Sequence, residues 1–347
     1  MAGRPPAIFV SPSQPRKKDT SLAAPSAPND EDERLALFAT VRDFFRHAVS
    51  RFNAAGLVYG HGATNAVDEA AFIVLEALRL PIDALDPFLD AALTREERVR
   101  LLELIDARVA TRKPAAYLLK RAYIQGVPFY VDERVIVPRS YIGELLFGAL
   151  SGEGSPIEDA ERIDSALDLC AGGGSLAILA AMKFPNARID AVDLSADALE
   201  VARRNVAEHG LSKRIALHQG DLFAPLGHRR YDLILANPPY VDADSLAAFP
   251  PEYAAEPRLA HEGGRDGLDV VRRILAEAPA HLTPQGALVC EVGRGRARLE
   301  AEFPELPLLW LDTEESEGEV FFVRAADLAA PRRRGKRGGV AGRGAGA

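Results

Sequence analysis

The chain has 347 residues, 48% of them apolar, a net charge of −8 and two cysteines. That length allows about two domains with buried cores, and so few cysteines exclude a disulfide framework and a thiolate metal site. Arg332, Arg333, Arg334, Lys336, Arg337 and Arg343 crowd into the last residues, leaving a body more acidic than the whole, which argues against broad contact with a nucleic-acid backbone.

No apolar stretch approaches the roughly 20 residues of a bilayer span, so no membrane partner is expected. Residues 1–30 lack the apolar core of a secretory signal, while Arg4, Arg16, Lys17 and Lys18 with few acids leave an organelle transit peptide as an alternative ranked well behind. Cys170 and Cys290 each lie in an apolar run that reads as a buried strand, and a reducing, cytoplasmic setting is expected.

Residues 1–32 are rich in Pro, Ser and Ala without periodic apolar positions; unable to repay the entropy of ordering, they are expected to be disordered. From residue 33 the pattern changes. Leu35, Phe38, Val41, Phe44, Phe45, Val49 and Phe52 recur at helical spacing and stop near Gly56, predicting one long amphipathic helix. A second helix is expected over 68–80, ended by Pro81, and a third over 94–112, opened by the capping box Thr94-Arg95-Glu96-Glu97. These make a helical domain over 33–120 whose charges read as solvated helix faces. It shows neither metal-ligand spacing nor a nucleophile constellation, so substrate recognition or scaffolding suits it. In 121–150, Phe129, Val131, Val135 and Val137 alternate around Asp132-Glu133, predicting a β-hairpin that leads through Pro138-Arg139-Ser140 into an apolar segment. Residues 151–162 read as a polar linker.

Residues 151–330 alternate the two signals. Strands are expected at 163–170, 188–193, 215–218, 231–236 and 286–292, helices at 175–184, 196–209 and 268–281, and a closing hairpin from 307–311 and 319–324. That succession predicts an α/β fold with a doubly wound, Rossmann-like sheet. The Arg/Gly tail at 331–347 has the composition of a disordered, weakly RNA-attracting segment; a solubilising extension ranks ahead of that reading.

Three strand ends carry the candidate cofactor site. Asp168-Leu-Cys-Ala171-Gly172-Gly173-Gly174 joins the first strand to a helix, and its glycines let a backbone pass close to a ligand. The loop alone does not exclude a dinucleotide, since Ala177 in place of the third fingerprint glycine is an allowed variant. Asp193, followed by Leu194, ends the second strand, where a carboxylate can accept from both ribose hydroxyls. Asp221 ends the third, where it could accept an adenine amino proton while Leu222 or Phe223 covers the ring.

At the fourth strand end stands Asn237-Pro238-Pro239-Tyr240. Asn237 offers a side-chain carbonyl and Pro238 a backbone carbonyl, and neither proline has an N–H to compete for them. Pro239 holds Pro238 extended, and Tyr240 would supply a flat face for an amide or a base. The four residues read as a clamp for a planar –NH2 group. A nucleoside cofactor facing an amine-bearing substrate suggests methyl transfer from S-adenosylmethionine. His209, His218, His228 and His261 stand in helix-end or loop contexts and read as surface or packing residues rather than as a dehydrogenase's proton donor.

On these residues the chain resembles the class I protein N(5)-glutamine methyltransferases over about 35–325. The resemblance rests on the helical amino-terminal domain, Pro114-Ala-Ala-Tyr-Leu118, the hairpin ending in Pro138-Arg139, the Asp168 loop, Asp193 and Asn237-Pro-Pro-Tyr240. It implies S-adenosylmethionine as cofactor, no metal, a protein glutamine as substrate, and Pro138 and Arg139 on the substrate side. Phe129-Tyr-Val-Asp-Glu-Arg134 leading to Val137-Pro-Arg-Ser140 resembles the branch that modifies the third large-subunit ribosomal protein; the alternative branch modifies peptide-chain release factors. Ala171 and Gly173 stand where the family usually has Thr and Ser, and Tyr141 where it usually has Pro. Two readings stay open beside this one: a nucleic-acid exocyclic-amine methyltransferase, since a flipped base fits the same clamp, and a non-catalytic cofactor-binding factor.

Overall fold

The computed structural model describes residues 35–329 apart from 36, 151 and 315. The expected disorder of 1–32 and of 331–347 lies outside the described residues. From Val41 on, the described residues form the helices α1 (Val41–Ala54), α2 (Ala66–Leu78), α3 (Arg95–Thr111) and the short α4 (Ala115–Leu119). The apolar rhythm from Leu35 does not make one long helix. Thr40 and Asp43 close a capping box at the start of α1, and such a box fixes an extended residue where the rhythm alone would continue the helix. Asn65 caps α2 and Thr94 caps α3, the latter through the expected box with Glu97. Phe44, Phe52, Ile73, Leu101 and Ile105 are buried between them.

Not every charge of this region is a solvated face. Arg108 and Glu69 are buried as a pair at 2.9 Å, with Arg108 also donating to the carbonyls of Arg112 and Val58. The burial falls on residues whose helical spacing looks like any surface pattern, because the neighbouring chain that covers them comes from elsewhere in sequence.

The hairpin is shorter and earlier than the alternation predicts. Strands β1 (Ala122–Ile124) and β2 (Val127–Phe129) pair antiparallel around Gln125-Gly126, both with positive φ, the geometry that closes a two-residue turn. Asp132-Glu133 is instead a separate turn, in which Asp132 accepts from Arg134 N at 3.1 Å, and Val131, Val135 and Val137 are buried there without strand pairing. Helix α5 (Tyr141–Phe147) follows.

The second half alternates β3 (Ser165–Leu169), α6 (Ser175–Lys183), β4 (Arg188–Asp193), α7 (Ala196–Glu208), β5 (Ile215–Gln219) and β6 (Tyr231–Ala236). After α8 (Ala243–Ala247) come α9 (Asp269–His281), β7 (Leu282–Glu291), α10 (Arg296–Glu302), β8 (Leu309–Leu311), β9 (Val320–Arg324) and α11 (Ala325–Ala329). The sheet order is β5-β4-β3-β6-β7-β9-β8, parallel from β5 through β7 and antiparallel at β9 and β8. This is the doubly wound, Rossmann-like sheet expected of a class I methyltransferase, and the closing hairpin is present. Helices α5 and α6 cover one face with Ile142, Leu146, Ile178 and Leu179; α9 covers the other with Val271, Ile274 and Leu275. Cys290 is buried in β7, but Cys170 lies past the end of β3 with φ 59°, in a loop rather than a strand. His218 lies in β5, 2.7 Å from Asp190, and is thus a strand residue held by its neighbour.

Candidate active site

Strand order reverses between β3 and β6, and in such sheets the crevice outside the carboxyl ends at that point takes the ligand. A cavity of about 220 Å³ opens there. Of the predicted cofactor residues, Gly172, Asp193, Leu194, Asp221, Leu222 and Asn237 line it. Asp168, Ala171 and Gly174 stand behind it. Asp168 is buried and accepts from Ala177 N, in the first turn of α6, at 2.9 Å. Burial pushes its carboxyl up to about 8. Ala171 N donates to the Val192 carbonyl at 3.0 Å, and Gly174 is the N-cap of α6.

Asp193 organises the loop. Its Oδ2 accepts from Gly172 N and its Oδ1 from Ser195 N, both at 2.8 Å, which leaves each oxygen a further lone pair toward the cavity. Burial raises its carboxyl from the usual range, against those backbone donors. Gly172 has φ 53°, and a Cβ built there would meet nothing within 4 Å, so the space beside its backbone is open to a ligand. Asp221 is held bidentately by Arg273 at 3.0 Å on both arms. Leu222 reaches the cavity, whereas Phe223 turns away and stacks on His281 at 4.6 Å. Carboxylates on Val192, Leu194 and Leu222 walls, beside an open backbone, fit the ribose and base of a nucleoside.

Asn237 borders the same cavity, and among the described residues its side-chain amide has no hydrogen-bond partner in the protein. Pro239 also borders it, while Pro238 is buried. Tyr240 is anchored: its hydroxyl donates to Glu291 Oε1 at 2.7 Å, and its ring stands against Gly293. Glu291, the last residue of β7, is buried and also accepts from Ser140 Oγ at 2.7 Å and Tyr141 N at 3.1 Å. Burial pushes its carboxyl up to about 6. Pro138 and Arg139 are outside the cavity lining. Arg139 forks onto Glu256 at 2.6 and 2.8 Å.

Sequence reasoning missed several participants. Arg134, Val135 and Ile136 wall one side of the cavity, Pro257, Leu259, Ala260 and Glu262 another, and Val270 and Arg273 a third. Nothing local in the Pro257-Arg-Leu-Ala260 stretch says that it shares a cavity with Asp193. No group of three or more potential metal ligands occurs among the described residues, and no described helix is long and apolar enough to cross a membrane.

Comparison with known proteins gives the same direction. The family model described as Methyltransferase small domain matches residues 156–249. A curated relative from Bradyrhizobium diazoefficiens, named ribosomal protein uL3 glutamine methyltransferase, is 62% identical over 292 residues, spanning 83% of this chain and 92% of its own. Relatives with the same name from Burkholderia pseudomallei and Bordetella pertussis are 54% and 53% identical, over 84% and 83% of this chain and 97% and 96% of theirs. Identity at that level, running through both the helical region and the sheet, selects between the two branches that the 129–140 segment distinguishes: the chain belongs to the family of ribosomal protein uL3 glutamine methyltransferases.

Proposed function

We infer that the chain methylates the side-chain amide nitrogen of a glutamine in the large-subunit ribosomal protein uL3, giving N(5)-methylglutamine, with S-adenosylmethionine as methyl donor. The observation that carries this reading is the opening of the unpartnered Asn237 amide onto the cavity that Asp193 organises. S-adenosylmethionine, when bound, supplies an electrophilic methyl group on a sulfonium. Asp193, Leu194, Gly172 and Leu222 would hold it, with Asp221 available to its base, while Asp168, Ala171 and Gly174 shape the loop behind.

A carboxamide nitrogen shares its lone pair with the carbonyl and is barely nucleophilic, and Asn237 has no strong base among its neighbours in sequence. Positioning therefore does most of the work. Asn237 Oδ1 and the Pro238 carbonyl accept the two amide N–H groups, and Pro239, lacking an N–H, leaves those acceptors free. Fixing the nitrogen in a near-attack arrangement contributes several kcal/mol, up to about 7–11 for fully oriented reactants. The same acceptors favour the positive charge that grows on nitrogen, and its proton leaves afterwards to solvent. Tyr240, held by Glu291, keeps the clamp's last residue still. The helical region over 33–120, with Pro138 and Arg139, faces the protein substrate, and the cytoplasm, where ribosomal proteins are made, is the setting.

Mass spectrometry of uL3 from cells with and without the gene tests this. Loss of one methyl group from a uL3 glutamine is expected. Loss from a release factor instead would move the substrate to the other branch, and no change in either would favour a nucleic-acid amine.

A further inference from the structure

The segment 250–262 has two faces. One lines the cavity through Pro257, Leu259, Ala260 and Glu262. The other sinks two carboxylates into the helical region and the 134–139 segment. Glu252, fully buried, accepts from Val58 N at 3.0 Å and pairs with Arg112 at 2.5 Å. Glu256, whose side chain is 0% exposed, accepts from Val137 N at 2.9 Å and from Arg139, and its Oε2 stands 2.9 Å from His261 Nε2 and 3.5 Å from His61 Nε2. Tyr253, between them, packs on His61 at 4.3 Å. The far end of the segment is fastened to the amide clamp, because Val241 N donates to the His261 carbonyl and Gly263 N to the Val241 carbonyl, both at 2.9 Å.

Three distant pieces of chain thus meet at one buried carboxylate: Val137 with Arg139 bond to it, His261 faces it beside the clamp, and His61 of the helical region, which Glu252 also ties in through Val58 and Arg112, packs within 3.5 Å. A carboxylate buried this deeply keeps its charge only while its partners stay in place, so the cavity wall at 257–262 cannot shift without disturbing the seat of the helical region. We propose that Glu256 is a positioning residue for methyl transfer, coupling the helical region to the cavity wall and the amide clamp so that filling the cavity and seating that region reinforce each other. The inference rests on the cofactor reading of the cavity, and coupling of this kind is reciprocal.

Hydrogen exchange read by mass spectrometry on the full chain, with and without S-adenosylhomocysteine, tests it. In the wild type the ligand slows exchange at 257–262 and also at 57–63, which the cavity does not include. His61→Gln, which leaves Glu256 in place, keeps ligand affinity within about 3-fold and protection at 257–262 but loses protection at 57–63, and kcat/KM for uL3 falls about 10-fold. Glu256→Gln, which keeps the shape but replaces one acceptor oxygen with a donor amide and removes the charge that faces Arg139, shows the same split. Ligand protection confined to 257–262 in the wild type, or protection at 57–63 unchanged in His61→Gln, overturns the coupling. Failure of S-adenosylhomocysteine to bind the wild type overturns the cofactor reading beneath it instead.

Discussion

The Tyr240 hydroxyl donates to Glu291 Oε1 at 2.7 Å, tying the last residue of the amide clamp to the last residue of β7. Ser140 Oγ takes the other carboxylate oxygen at 2.7 Å, so the segment entering α5 is fixed to the same point. Tyr240→Phe leaves a buried acceptor unpaired, at a cost of about 1–3 kcal/mol in stability, and loosens the clamp. Turnover is expected to fall more than affinity for S-adenosylhomocysteine; steady-state kinetics beside calorimetry would show an equal loss in both if Tyr240 merely held the fold.

Glu291 also gives a pH signature. Its carboxyl is raised by burial from 4.5 to about 6, so between those values the folded chain keeps a proton that the unfolded chain releases. Its contribution to stability is therefore greatest at low pH and is lost as pH rises through about 6, by about 1.4 kcal/mol per unit of difference. Glu291→Gln cannot titrate. Urea unfolding of both proteins should show the variant gaining on the wild type by about 1–2 kcal/mol from pH 4.5 to above pH 6, and a gap independent of pH would contradict the burial argument.

Asn237→Ala removes an acceptor that has no structural partner among the described residues. We expect kcat to fall by about 10²–10³, with the affinity for S-adenosylhomocysteine within a few-fold of wild type. Isothermal calorimetry reporting a large affinity loss would assign the residue chiefly to the cofactor.

Asp193→Ala has the opposite division. It removes the acceptor of Gly172 N and Ser195 N as well as a carboxylate facing the cavity. Charged hydrogen bonds contribute about 1.5–3 kcal/mol each, so the dissociation constant for S-adenosylhomocysteine should rise by about 10–100-fold. Unchanged affinity would remove Asp193 from the binding role.

Arg108→Ala strands the buried Glu69 carboxylate, whose partner at 2.9 Å it removes. A cost of about 3–5 kcal/mol is expected for such an uncompensated buried charge, concentrated in the helical region. Chemical denaturation, with hydrogen exchange to locate the loss, checks both size and place.

The sheet was legible because β4 and β6 are short apolar runs bounded by turn residues, and their ends, Asp193 and Asn237, fall where a doubly wound sheet brings strand ends together. The helix cap at Thr94 was legible for a similar reason, since its box with Glu97 acts within one turn. What was hidden is long-range. Glu291 meets Ser140 across 151 positions and Glu256 meets Val137 across 119, and no local pattern marks either glutamate as buried. The alternation of Val131, Val135 and Val137 imitates a strand and hides the turn at Gln125-Gly126, although packing in an irregular segment is what buries those residues. Position alone marks Asp221 in the sequence, whereas its fork with Arg273 depends on α9 reaching the end of β5.

The insertion of β9 between β7 and β8 bears on how the protein is made. Every strand end that lines the cavity has been synthesised by Asn237, yet β7, which carries Glu291, pairs along 287–291 with 320–324. A chain released early, before residue 320, would carry the whole cofactor-binding sequence and still present β7 as a bare, apolar sheet edge, a template for joining other copies. Strand β9 is thus the cover of an edge that the cofactor-binding sequence leaves open, which ties the shielding of the site's own sheet to residues that line none of its cavity.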